Sequence, residues 1–131
     1  MREIKFRGKR VDNGEWVYGY YFIEERDIED GFIWRDIPQI QQRYGDHYQY
    51  YDVDPSTVGQ YTGLKDKNGK EIYEGDVVRL FGGEYCQGYY EYDQTIVVKS
   101  AYDIVAMEES ENVQLLGNVW DNPELLKEGS V

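Results

Sequence analysis

Residues 59–80 read GQYTGLKDKNGKEIYEGDVVRL, and the turn chemistry in this stretch decides the fold class. Asn68-Gly69 is a hairpin signal, because a type I′ turn needs positive φ at both central residues. Gly59 to Gly63 is extended before it, and Glu71-Ile72-Tyr73 resumes as a strand after it. Glu74-Gly75-Asp76 is a tight turn in which glycine supplies the bend and aspartate binds nearby backbone amides. Val77 to Phe81 leaves that turn as a core strand. The stretch is dense in Gly, Asp and Lys, yet each notable residue has a conformational task. Function is therefore expected on the less regular segments to either side.

Towards the N-terminus, residues 3–8 alternate polar and apolar and predict a first strand. Asp12-Asn13-Gly14 is a second hairpin signal, leading into a strand over Glu15–Phe22. An acidic loop follows, with Glu24, Glu25, Asp27, Glu29 and Asp30, and then a short strand over Gly31–Trp34. Pro38 to Asp46 is polar and reads as loop or a single helical turn. His47–Val53 is aromatic and strand-like. Asp54-Pro55 suits an N-cap followed by the first helical residue, which predicts one turn of helix over Asp54–Val58. Asn13–Tyr18 echoes Asn68–Tyr73, which shared hairpin chemistry explains without a duplication.

Towards the C-terminus, Gly82-Gly83 predicts a strand break. Glu84–Asp93 is Tyr-rich, Thr95–Lys99 is the most apolar strand, and Tyr102–Met107 reads as another. Val113–Trp120 is the last strand, and Asn122-Pro123-Glu124-Leu125-Leu126 a terminal helical turn. No helical stripe exceeds about two turns, and closely spaced turn signals between short strands favour a small barrel or sandwich.

The composition narrows the function classes. The chain has 14 Tyr, so aromatic rings take over packing that Leu and Ile do elsewhere, a bias that favours strands. One cysteine, Cys86, rules out an intramolecular disulfide and points to a cytoplasmic setting. The N-terminus has no apolar leader, and no run reaches the ~20 apolar residues of a membrane span. A formal charge of −12 disfavours direct nucleic-acid binding, which relies on Lys and Arg to neutralise phosphate. The one basic cluster is Arg2, Lys5, Arg7, Lys9 and Arg10; a solvated strand face is preferred over a small anion site there.

Three blocks together resemble the YopX family of phage and prophage proteins. They are IKFRGK with NGEWVYGY (residues 4–9 and 13–20), VDPSTVGQYTGLKDKNGKEIYEGDVV (residues 53–78), and LGNVWDNPELL (residues 116–126). Residues 23–52 and 82–112 carry no such signature. The resemblance implies a mainly-β fold with an SH3-type barrel in the C-terminal half, carrying an N-terminal β-hairpin extension and short helical turns. The implied division is residues 1–58 packing on a barrel of 59–131, or one continuous domain. No activity, cofactor or catalytic residue comes with the resemblance. The expected setting is the cytoplasm of an infected or lysogenic bacterial host.

The candidate chemistries are weak on their own residues. Asp66–Glu71 has a superficial likeness to a calcium loop but lacks the closing bidentate Glu, and Lys67 and Lys70 oppose a cation. His47 is the only histidine, so a zinc or iron site lacks ligands; a half-buried structural role is expected for it. Cys86 sits in an acidic strand, which disfavours a thiolate. No Gly-x-Ser-x-Gly elbow or phosphate loop occurs. With 26 acids, carboxylate pairs arise by chance, so they do not by themselves indicate a glycosidase.

The surplus tyrosines are more informative. Tyr48, Tyr50 and Tyr51, with Tyr85, Tyr89, Tyr90 and Tyr92, are the candidate contact residues, because tyrosine buries much area with few rotamers. Tyr48 and Tyr50 share a strand face and Tyr51 points the other way. The sequence reading is a non-enzymatic interaction module, without cofactor or metal, acting as a homo-oligomer. Its alternatives are an acidic decoy that mimics nucleic acid to bind a basic host protein, and an enzyme with a carboxylate and aromatic small-molecule site.

Overall fold

The computed structural model describes residues 3–31, 33–85 and 88–126, side chains at 83–85 and 88–91 excepted. These residues are mainly β, with one α-helix. The chain divides into two compact units, Glu3–Gln60 and the residues from Tyr61 onward.

The first unit is a ring of four antiparallel strands, β1 (Phe6–Arg10), β2 (Trp16–Asp27), β3 (Trp34–Tyr44) and β4 (His47–Lys65, which runs on into the second unit). It closes because two strands change partner along their length. β2 lies beside β1 as far as Gly19 and beside β3 from Tyr20 onward. At that switch a Cβ on Gly19 would stand 2.0 Å from the carbonyl oxygen of Gln41, so only glycine admits the crossing. β4 pairs with β3 through Asp52 and with β1 from Val53. Inside the ring, Val17, Ile40 and Val53 are buried, with Phe6, Tyr21, Tyr51 and Val58 packed against them. The N-terminal part is thus a closed ring, more than the hairpin extension expected of it.

Three local expectations for this unit are corrected. Of Pro38–Asp46, expected as loop or a helical turn, Pro38–Tyr44 is strand and only Gly45-Asp46 is turn. Pro38 lies opposite Ile23 of β2, while β4 joins β3 only from Gln39, so the missing proline N–H falls where the ladder has one side. The acidic loop is shorter than expected, since β2 carries through to Asp27. Asp54–Val58 is a bulge in β4, not a helical turn: Lys9 lies opposite Asp54 and Arg7 opposite Gly59, so four residues of β4 face Gly8 alone and three are absorbed by the bulge. The capping chemistry is present without the helix. Asp54 Oδ1 accepts the Ser56 N–H at 3.0 Å, and the Thr57 hydroxyl donates to Asp54 O at 2.6 Å while accepting the Lys9 N–H at 2.9 Å.

In the second unit the end of β4 pairs with β5 (Glu71–Tyr73). β6 (Asp76–Tyr85) forms the centre of a three-stranded sheet between β7 (Gly88–Val97) and β8 (Asn112–Asn118). The double glycine expected to break a strand is accommodated as a register shift between Gly82 and Glu84. The core is Ile72, Val78, Leu80, Val98 and Met107. Tyr102–Met107, expected as a strand, lies in α1 (Ala101–Glu109). The Asp103 carboxylate accepts the N–H groups of Lys99 at 2.8 Å and Ser100 at 3.0 Å, satisfying donors at the helix start. The Ser-x-x-Asp spacing at 100–103 is the sequence signal for that start. Pro123–Leu126 is the expected terminal turn, in 3₁₀ form.

The stretch over residues 66–76 turns where the sequence places its turns, but the first is not type I′. Of Asn68 and Gly69 only Gly69 has positive φ, +84°, and its N–H donates to Asp66 O at 2.9 Å, so the closed turn spans Asp66–Gly69. Asp66 Oδ1 accepts the N–H groups of Asn68 and Lys70, both at 2.9 Å, and Oδ2 accepts the Leu115 N–H of β8 at 3.1 Å. The Lys67 N–H donates to Val113 O at 2.9 Å, so the turn lies along β8. Burial pushes the Asp66 carboxyl up, but the amides of Lys70, Leu115 and Asn68 outweigh it and hold the group below its ordinary value. Asp76 Oδ2 accepts the Tyr73 N–H at 2.8 Å, closing the next turn. Gly75 at φ +91° lies under Trp120, whose Cη2 would be 2.3 Å from an added Cβ. Asn118 sets that indole in place: its Oδ1 accepts the N–H groups of Trp120 and Asp121 at 3.0 and 2.8 Å.

Candidate functional site

The partner change at Gly19 brings the aromatic residues of β2 and β4 onto one side of the ring, with β3 between them. Alternation places Tyr18, Tyr20 and Phe22 on the side of β2 opposite Val17 and Tyr21. Register sets Tyr20 beside Gln41, Gln41 beside Tyr50, and Arg43 beside Tyr48. Tyr20 stacks on Phe22 at 6.3 Å, and Phe22 meets Tyr50 edge to face at 6.1 Å. The Gln41 amide donates to the Tyr50 hydroxyl at 3.1 Å. These rings do not bury themselves against one another: Tyr20 is 58% exposed, Tyr48 50% and Tyr50 54%. Beside them is an open hollow of about 470 Å³, lined by Ile4, Lys5, Tyr18, Tyr20, Arg43 and Tyr48.

Ion pairs frame this face and leave its centre uncharged. At one end Arg26 holds Asp52 with two bonds of 3.0 Å, Asp52 also accepts from the Gln39 amide at 2.8 Å, and Arg26 reaches Glu24 at 3.3 Å. The hydrogen bond from Arg26 pulls the Asp52 carboxyl below its ordinary value, and the Asp52 bond in turn raises Arg26. At the other end the Arg43 guanidinium donates to Gly45 O at 2.7 Å, bracing the β3–β4 turn. Lys5 pairs with Glu3 at 3.6 Å.

Of the residues singled out in the sequence, Tyr48 and Tyr50 lie on this face. Tyr51 points inward onto the ring core, with its hydroxyl 3.0 Å from that of Tyr44 and Arg10 4.5 Å above its ring. Tyr92 packs against the core of the second unit, and its hydroxyl accepts the Glu111 N–H at 2.7 Å. The side chains of Tyr85, Tyr89 and Tyr90, and Cys86 entirely, lie outside the described residues. His47 is not half-buried as expected: it follows the Gly45-Asp46 turn where the ladder ends, its side chain 82% exposed and 3.5 Å from Asp46. The basic cluster is not a solvated face either. Arg7 is buried with its guanidinium 4.5 Å from the Trp16 ring centre, and Lys9 approaches the same ring at 5.4 Å. Arg10 is bound by Asp12 at 2.6 Å, and Arg2 lies outside the described residues. Among the described residues, no group of three or more His, Cys, Asp or Glu could hold a metal ion. None of their helices is long and apolar enough to cross a membrane.

Tyr18, Tyr20 and Phe22 were missed as contact residues. Their alternation in Trp16–Phe22 was the available signal, but it acquires meaning only once β2 is known to lie beside β3.

The YopX protein family matches residues 5–127, nearly the whole chain. This chain belongs to the YopX family. The blocks that carry the YopX resemblance are also where the tightest backbone requirements fall: Gly19 against Gln41, the Asp54 bulge, the Asp66 turn, and Gly75 under Trp120. The exposed tyrosine face is divided: Tyr18 and Tyr20 lie in the first block, Tyr48 and Tyr50 outside all three. A solved structure, protein EF1440 from Enterococcus faecalis, is similar over 96% of this chain and 99% of its own, with 20% identity and a TM-score of 0.46. No curated protein matches this YopX chain.

Proposed function

We propose that this YopX protein is a non-enzymatic, phage-encoded association module of the bacterial cytoplasm. In this reading its second unit is an SH3-type barrel, and the module docks through the aromatic face of its four-stranded ring. The observation that carries it is the placement of Tyr18, Tyr20, Tyr48 and Tyr50 together, exposed, on one side of that ring. Interface centres are depleted in charge and enriched in tyrosine, as this face is. The hollow is open to solvent, which suits a contact surface better than an enclosed reaction site. The test is the size of the assembly in extracts of the bacterial host. The wild-type chain is expected to run well above its own mass, Tyr48→Arg with Tyr50→Arg to disperse it, and Tyr102→Arg on α1 to leave it unchanged. A wild-type chain that runs at monomer mass in those extracts refutes the proposal.

A further inference from the structure

We infer that the occupant of the tyrosine face is a second copy of this chain, docked about a two-fold axis. The inference rests on the association reading and names its partner. Charge is the first argument. Two copies each carrying a formal −12 repel one another over most of their surfaces. On this face Tyr18, Tyr20, Phe22, Gln41, Tyr48 and Tyr50 are all neutral. At its rim Lys5 pairs with Glu3 and Arg26 with both Glu24 and Asp52, and Arg43, bound to Gly45 O, brings the cations level with the three acids. The face is therefore a locally balanced region of a strongly acidic molecule, where copies meet with little local repulsion. A basic partner would be drawn to the acidic surface and would gain nothing by selecting a neutral one.

Shape is the second argument. A two-fold contact uses one patch twice, so the patch must contain both a projection and a recess to receive it. This face contains both. The hollow lined by Tyr18, Tyr20 and Tyr48 lies next to Tyr50, which stands two residues beyond Tyr48 on the same side of β4 and is backed edge-on by Phe22. Tyr50 of each copy enters the hollow of the other, where the free guanidinium nitrogens of Arg43 meet a phenol oxygen.

The sign of the salt dependence separates this proposal from its rival. Between about 0.01 M and about 1 M salt the screening length falls from ~30 Å to ~3 Å. Self-association of like-charged copies through a neutral face must strengthen over that range, by about tenfold or more in association constant. Docking of a basic partner must weaken. Sedimentation equilibrium of the purified full chain at both salt concentrations reads this directly. The expected result is a dimer favoured by salt, lost in Tyr20→Arg, which places facing charges in the contact, and retained in Tyr102→Arg. A monomer at both concentrations overturns the inference, as does a dimer that salt dissolves or that survives Tyr20→Arg. If Tyr20→Arg does not fold by circular dichroism, the salt response of the wild type decides alone. A purified monomer beside a large assembly in host extracts removes the second copy and leaves the association reading standing.

Discussion

Replacing Asp66 is expected to cost the second unit as much stability as emptying a core position. Its carboxylate accepts three backbone N–H groups, two within its own turn and one from Leu115 of β8. In Asp66→Ala the Asn68 and Lys70 amides turn to water, each losing about 0.5–1.5 kcal/mol. The half-buried Leu115 amide is left without its acceptor, which costs about 1–3 kcal/mol. The total is about 2–6 kcal/mol, against ~5–15 kcal/mol for a whole domain. With a urea dependence of about 2 kcal/mol/M, the unfolding midpoint falls by about 1–3 M. Asp66→Asn keeps one oxygen for the turn but presents an amide where Leu115 needs an acceptor, so about half the loss is expected. Acid sharpens the test. The folded carboxyl lies below its ordinary value of 3.8, so its contribution is complete above that value and drains as pH falls through the lower folded one. The gap between wild type and Asp66→Asn should therefore close in acid. Urea titrations followed by tryptophan fluorescence at neutral and acid pH measure both effects. A loss under about 1 kcal/mol in Asp66→Ala, or a gap that stays constant down to strong acid, refutes the account.

Two glycine substitutions separate backbone strain from collision. Gly69→Ala, at φ +84° with nothing near its Cβ, should cost about 1–2 kcal/mol by thermal unfolding. Gly75→Ala, at φ +91° and 2.3 Å from the Trp120 ring, should cost at least about 3 kcal/mol and alter Trp120 fluorescence. Equal losses at the two sites would remove the role given to Trp120. In the ring unit, Gly19→Ala drives its Cβ into the Gln41 carbonyl and should abolish folding of residues 3–60, seen as loss of amide protection in β2 and β3 by hydrogen exchange. Asp103→Ala removes the acceptor at the start of α1 and should cost about 1 kcal/mol with fraying limited to that helix.

Turns were legible in the sequence; strand partners were not. Asn68-Gly69, Gly75-Asp76 and Asn13-Gly14 act on backbone within three residues of themselves, so placing their turns needs no knowledge of the rest of the chain. Pro38 was misread because its tolerance depends on β4 leaving β3 one residue later, a fact about a segment 14 residues away. Asp54-Pro55-Ser56 carried the chemistry of a cap, but β1 runs alongside and the pairing on either side converts a helical start into a bulge. At 101–109 the error ran the other way: Val, Ile and Tyr favoured a strand, and the Ser100–Asp103 cap decided for helix. The candidate surface was half legible for the same reason. Tyr48 and Tyr50 stood out as a local cluster, whereas Tyr18 and Tyr20 join them only through the register of β2 on β3.

The hydrogen bonds that lay the Asp66–Lys67 turn along β8 have a consequence for behaviour at high concentration. A sheet with both margins open can add molecules at each end without limit, which is the geometry of a fibre. Here one margin of the β7–β6–β8 sheet is already occupied by the molecule's own turn. Any strand-to-strand addition at the other margin must then stop at a pair. The aspartate that stabilises the turn thereby also sets an upper bound on growth. Its loss would leave a chain that is both less stable and open to polymerisation, so Asp66 variants should be watched for turbidity as well as for unfolding.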